Sequence, residues 1–233
     1  MIPALAVGAG AIAQWVSGIG FSLVCAPILI ASLGPLEGVR VALVLSSILN
    51  ISLVAGRRND LLVREGALLL VPAMAITPFV AMAVRSVDAR WLAATAGVLT
   101  VLSAAALLVG WRWHRGRHPV GAVVAGALSG TMNVIGSIGG PALALYTVNA
   151  DWPPQRTRPT LQVIFLLSNV VALVALGLPR ASHLAGPAVG LTGGWIVGRW
   201  LDPKVPHDVA RVATLLVAAG GGAAAVLRAW SGA

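Results

Sequence analysis

Charge, acid and cysteine are all scarce in this chain. Of its 233 residues only 10% are charged, and the acids number seven. An average soluble domain carries about 25% charged residues. A soluble fold of this length needs a polar surface that this composition does not provide. Cys25 is the single cysteine, which excludes an internal disulfide framework. All seven acids (Glu37, Asp60, Glu65, Asp88, Asp151, Asp202, Asp208) and all four histidines (His114, His118, His183, His207) fall in or beside expected loops. No buried carboxylate is expected for a proton relay or a sodium site, and no His or Cys cluster for a metal. No Lys or Arg precedes the first apolar run. The N-terminus therefore does not read as a cleavable signal and is taken as part of the fold.

What remains is hydrophobic: 58% of the residues, with a mean hydropathy of +0.90. Long apolar stretches recur, the signature of transmembrane helices. They fall at about 3–33, 38–56, 66–84, 89–110, 119–149, 160–178, 184–200 and 207–229. A net charge of +9 can signal nucleic acid, but here the basic residues punctuate hydrophobic segments and read as topology markers. Trp91, Trp111, Trp113, Trp152, Trp200 and Trp230 lie at segment ends, as an interfacial belt requires. The fold class expected is an all-α polytopic membrane protein with about eight hydrophobic segments.

Two segments, 3–33 and 119–149, are too long for one plain crossing. Each carries a glycine cluster near its middle, Gly18-Ile19-Gly20 and Gly136-Ser137-Ile138-Gly139-Gly140, followed by Pro27 or Pro141. Glycine and proline break a helix by removing a Cβ or a backbone donor. Each segment is expected to form two short helices joined by an irregular tip. Such backbone survives in lipid only where protein or a wet cavity surrounds it.

The chain also repeats itself. Pro72-Ala73-Met74-Ala75-Ile76-Thr77 matches Pro187-Ala188-Val189-Gly190-Leu191-Thr192 at an offset of 115. Arg40, Asn50, Gly20, Pro27 and Arg90 find counterparts in Arg158, Asn169, Gly139, Pro141 and Arg211, at offsets between 114 and 121. Their common order reads as a duplication: residues 1–110 and 119–233 as repeats, joined by the basic loop 111–118. If all eight segments cross, the basic residues split eight against eight and choose no orientation. If 3–33 and 119–149 re-enter, eleven of the 16 face five, a usable positive-inside bias. The halves would then be inverted, a standard transporter construction.

Candidate binding residues cluster at the tips. Gly18, Gly20 and Ser22 in the first and Gly136, Ser137, Gly139 and Gly140 in the second would sit where short helices expose their first N–H groups. The competing reading, close packing by small residues, is common in membranes. Asn50, near Ser46 and Ser47, and Asn169, near Ser168 and Gln162, lie deep in their segments, where an amide must face protein or cavity. Helix-to-helix bonding is as good an account of them. Thr77 and Thr192 are expected to bond back to their own helices. Arg40 and Arg158 could draw an anion to a cavity mouth or anchor the interface. Cys25 reads as core.

Gly18-Ile19-Gly20-Phe21-Ser22-Leu23-Val24-Cys25-Ala26-Pro27-Ile28-Leu29 resembles the first-repeat motif of the TauE/SafE sulfite exporter family, also called the toluene-sulfonate uptake permease family. Gly136-Ser137-Ile138-Gly139-Gly140-Pro141-Ala142-Leu143-Ala144-Leu145-Tyr146, with Arg158-Pro159-Thr160, resembles its second-repeat motif. The resemblance implies a multi-pass inner-membrane protein of bacterial type that carries sulfite, sulfonates or related carboxylates. The expected function is export of sulfite or an organosulfonate by alternating access at a midplane site between the tips. Substrate would be held by the tip residues, Asn50 and Asn169, with Arg158 drawing it in. An outward-moving anion gains about 2.3 kcal/mol per charge at 100 mV and needs no coupling ion. The rivals are a proton-coupled importer of a sulfonate or carboxylate and, more remotely, an intramembrane serine hydrolase built on Ser137. The latter needs a nearby histidine, and His183 is the sole candidate. No cofactor, metal or nucleic acid is expected. The partners are a small anion and the bilayer, with a homo-oligomer left open.

Overall fold

The computed structural model describes residues 1–55, 61–110 and 118–231. Arg57, Arg58, Asp60, Trp111, Arg112, Trp113, His114, Arg115 and Arg117 lie outside the described residues, as does nearly all of the basic loop. Among the described residues ten α-helices follow one another, with one short 3-10 turn and no strand. They are α1 (Ile2–Ser17), α2 (Phe21–Leu33), α3 (Pro35–Val54), α4 (Val63–Val84), α5 (Ala89–Val109), α6 (Pro119–Gly136), α7 (Gly140–Asn149), α8 (Pro154–Leu176), α9 (Ala185–Leu201) and α10 (His207–Ser231). Six of these, α3, α4, α5, α6, α8 and α10, are long and apolar enough to cross a bilayer. The chain is an all-α polytopic membrane protein.

The two overlong segments are each broken. Gly18, with φ 77, closes α1, and its N–H donates to Gln14 O at 2.9 Å. The second break is closed differently from the glycine expectation. Ser137, not a glycine, takes the left-handed conformation, with φ 58 and its N–H on Asn133 O at 2.8 Å. Such a conformation costs a residue with a Cβ about 1–2 kcal/mol. Gly139 has ordinary helical torsions and is needed for space: a Cβ there would come within 2.7 Å of Ser129 O. The segment expected at 160–178 begins six residues earlier, at Pro154. A proline in the first turn lacks only an N–H that would have been unpaired, and its φ is preset for a helix.

Close contacts give the relative directions of the helices. Ala4 meets Gly190, Gly8 meets Gly194 and Trp15 meets Gly198, so α1 and α9 run parallel. Leu69 meets Gly126 and Ala73 meets Gly130, so α4 and α6 do likewise. Helices α5 and α10 are antiparallel: Arg211 donates to Leu107 O at one end, Gly97 meets Gly222 in the middle, and Trp91 meets Trp230 at the other end. So are α3 and α8, where Arg40 donates to Leu176 O and Asn169 to Leu43 O. Helix α2 folds back on α1, with Cys25 against Gly10. Helix α7 folds back on α6, with Leu143 packed in one cluster with Ala122 and Ala125.

These directions define the course of the chain. Helix α1 rises from the N-terminal face and α2 returns to it; α3, α4 and α5 then traverse in turn. Helix α6 descends from the opposite face and α7 turns back toward that face, before α8, α9 and α10 run in alternating directions. The series α1–α5 and α6–α10 thus follow the same course in opposite directions. Both hairpins turn back toward the face where they began, so their tips approach from opposite sides. At about 1.5 Å per residue α7 is roughly 15 Å long, half of a hydrocarbon core of about 30 Å. Tryptophans mark both faces: Trp91 and Trp230 lie edge to face at 5.3 Å, and Lys204 lies 3.1 Å from the Trp200 ring.

Lipid tails are as apolar as leucine, so helices here associate through close backbone approach at small residues. The parallel pairs show it. A Cβ at Gly198 would lie 2.9 Å from Trp15 Cβ, and one at Gly194 would meet the Gly8 carbonyl. Gly193, one residue away, is exposed with nothing within 4 Å. Gly194→Leu is therefore expected to destabilise the detergent-solubilised protein by about 1–3 kcal/mol. Gly193→Leu should leave thermal unfolding unchanged; equal midpoints for the two variants would contradict this packing.

Candidate substrate site at the hairpin tips

Where the tips meet, Ser22 Oγ and Ser137 Oγ share a hydrogen bond of 3.1 Å across 115 residues of sequence. A cavity of about 40 Å3 lies beside this junction. A single water needs about 10–15 Å3 by the same measure, so a small oxyanion fits. From α1–α2 come Gln14, Gly20 and Ser22, and from α3 come Ser46 and Asn50. From α6–α7 come Asn133, Ser137, Gly139 and Gly140, and α8 adds Phe165 and Asn169. Among the described residues no charged side chain lines it. Its polarity comes from carboxamides, hydroxyls and the first turns of α2 and α7.

Most of the residues anticipated from sequence are brought together here: Gly20, Ser22, Asn50, Ser137, Gly139, Gly140 and Asn169. Three are not. Gly136 is the last residue of α6, packs against Ala96 and Ile138, and is not itself in the lining. Gly18 and Arg158 stand together in a neighbouring cavity of about 310 Å3. A Cβ at Gly18 would lie 2.6 Å from Arg158 Nε, so only glycine there admits the guanidinium.

Two carboxamides of the cavity escaped the sequence reading, Gln14 and Asn133. Both lie in the last helical turn before a glycine cluster, and that matched placement was the available signal. Gln14 changes the picture of the first tip. Its Oε1 accepts the N–H groups of Gly20 at 2.9 Å and Phe21 at 3.0 Å. The first donors of α2, expected to point unpaired at the tip, are thus held by a neutral side-chain oxygen. Gln14 Nε2 donates to Gln162 Oε1 and to Gly18 O, both at 3.3 Å.

Asn133 accounts for Asn169. Asn133 Nδ2 donates to Asn169 Oδ1 at 3.0 Å, and Asn169 Nδ2 reaches Leu43 O at 3.5 Å. Asn169 therefore joins helices as well as lining the cavity, whereas Asn50 donates only to Ser46 Oγ, at 3.4 Å. Thr77 and Thr192 bond to Ala73 O and Ala188 O of their own helices. Cys25 is fully buried in the apolar cluster of α1, α2 and α3.

The two faces differ. At the N-terminal face Arg40 donates to Leu176 O at 2.6 Å and pairs with Glu37 at 3.4 Å. Glu37 also accepts from the Arg180 N–H at 2.6 Å and meets His183 Nδ1 at 3.0 Å. These contacts tie α3 to the end of α8 and the turn after it. Arg40 is thus a strut between α3 and α8. His183 is engaged there as well, while Ser137 bonds to Ser22, so the two do not form a serine–histidine pair. At the opposite face the 310 Å3 cavity is open, with Arg199 and Ala55 exposed at its rim. Asp202, expected beside a loop, also lines it, and its Oδ1 is buried with no protein partner.

Two hairpins that enter from opposite faces and meet at a polar cavity inside a helical bundle are a construction that membrane transporters use. Searches of curated proteins and of solved structures each gave no match. The family model described as sulfite exporter TauE/SafE matches residues 2–225. It covers both hairpins and every helix that lines the two cavities, and the chain accordingly belongs to the TauE/SafE sulfite exporter family of integral membrane transporters.

Proposed function

We propose that the chain exports a small oxyanion, sulfite or a short organosulfonate, through the bacterial inner membrane by alternating access about the tip cavity. The observation that carries this reading is the meeting of the two tips. Chain breaks 115 residues apart converge on one polar cavity, with the helix starts of α2 and α7 beside it. Neutral N–H and O–H donors suit an anion that must be bound and then released. Each hydrogen bond to a charged group is worth about 1.5–3 kcal/mol, without the counter-charge that would trap it. Gln14 Oε1 already occupies an acceptor position at the first donors of α2, so an entering oxyanion can take its place.

Residues 1–110 and 119–233 act in this reading as homologous inverted halves joined by 111–118, in keeping with their opposite courses. The face with the open cavity is cytoplasmic. Eleven of the 16 basic residues fall in sequence at or between the helix ends of that face. The structure then corresponds to an inward-open form, closed outside by Arg40, Glu37 and His183. One observation favours the second reading, a proton-coupled importer: a carboxylate oxygen, Asp202 Oδ1, stands buried at the open cavity.

Flux in proteoliposomes separates the two. Export of labelled sulfite should follow an imposed potential, inside negative, without a pH gradient. About 100 mV gives roughly 2.3 kcal/mol per charge, or an equilibrium ratio of about 50. Flux that needs a proton gradient and ignores the potential would select the importer. Gly140→Leu has room for its Cβ, at 3.4 Å from Ile19, and would fill the cavity. Gly140→Leu and Asn50→Leu should each weaken transport by about tenfold or more, the worth of one charged hydrogen bond. Wild-type rates in folded protein would remove the tip cavity from the pathway.

A further inference from the structure

The open cavity differs in chemistry from the tip cavity beside it. Among the described residues its wall holds two cations, Arg158 and Arg199, against one carboxylate, Asp202, whereas the tip cavity has no charge. Both guanidinium groups are positioned by their neighbours. Arg158 packs on the bare α-carbon of Gly18, and Arg199 lies 5.6 Å from the Trp195 ring centroid. Trp15 and Trp195 form the adjoining wall, edge to face at 6.1 Å. The indole nitrogens of both are buried and, among the described residues, donate to no protein atom. An indole N–H can only donate, and buried donors in folded proteins are ordinarily paired. Two such donors at one cavity, next to two arginines, call for an acceptor-rich ligand.

The cavities are also joined through one side chain. Gln14 lines both, and its 3.3 Å contact to Gln162 Oε1 stands between them. That distance is long for an N–H···O bond, so the bridge is weak. Its Oε1, by contrast, is held by two shorter bonds from the first turn of α2. An anion on the open side can break the weak contact before it competes for the strong ones.

We infer that the open cavity is a second anion-binding station, where an oxyanion rests on Arg158, Arg199 and the indoles of Trp15 and Trp195 before the Gln14–Gln162 bridge admits it to the tip cavity. This rests on the reading of the tip cavity as the transport site. The station concentrates the substrate by charge, and the uncharged tip then passes it on. Two stations of unequal charge let the anion bind readily on one side without being held at the centre.

The test is equilibrium binding of 35S-sulfite to the detergent-purified full chain, read as anions bound per chain, with tryptophan fluorescence alongside. The expected result is two per chain. Gly140→Leu should remove one and leave a bound anion that still quenches Trp15 and Trp195. Arg199→Gln and Trp195→Phe should each weaken the other by at least tenfold. Trp91→Phe, at the far face, should change neither the count nor the quenching by sulfite. One anion per chain, lost in Gly140→Leu and untouched by Arg199→Gln and Trp195→Phe, overturns the second station and leaves the tip site standing. No sulfite bound by folded wild-type protein overturns both.

Discussion

A peptide group inside a bilayer has no water to bond, so each break in a helix must be satisfied by protein. This chain has two such breaks at depth, and the rest of the structure is arranged around satisfying them. At the first, the Gln14 carboxamide takes the leading N–H groups of α2. At the second, Ser137 accepts a strained torsion so that its N–H returns to Asn133 O while its hydroxyl reaches Ser22. Each tip is completed partly by the other. A single broken helix would leave polar groups facing lipid; two entering from opposite sides enclose a polar cavity.

Bringing the tips together requires their outer helices to lie very close to their neighbours. Helices α1 and α6 do so through parallel glycine-lined contacts with α9 and α4, each hairpin leaning on a helix from the other half of the chain. The pairs α3 with α8 and α5 with α10 are antiparallel. The correspondence is one of path rather than of detail. Helix α2 has 13 residues and α7 only ten, and the first tip is capped by a glutamine where the second offers an asparagine.

The same unevenness separates the two faces. At the N-terminal face Arg40 reaches the last carbonyl of α8 and is held there by Glu37, which also meets His183. At the opposite face its counterpart in sequence, Arg158, lies against Gly18 and borders a cavity. On the proposed mechanism these are the closed and open ends of one cycle. An arginine strut shuts one end while its partner serves the substrate at the other.

Some of this follows from the order of residues alone. Low charge and long apolar runs dictate helices in lipid, because no other open structure satisfies its backbone there. The glycine clusters mark the breaks, and the placement of Ser22, Asn50, Ser137 and Asn169 marks the polar depth at which they lie. Periodicity and composition could not say which carboxamide would meet which donor. Gln14 was hidden because a glutamine near a helix end is ordinary until the chain folds back on it, and Asn133 until α7 returns beside it. Arg158 was legible as a cation near an opening, but its seat on Gly18, 140 residues earlier, exists only once α1 and α8 are side by side. Sequence determines where the chain must break and what it must bury. The tertiary structure decides which break satisfies which, because contacts between residues far apart in sequence arise only from the packing of whole helices.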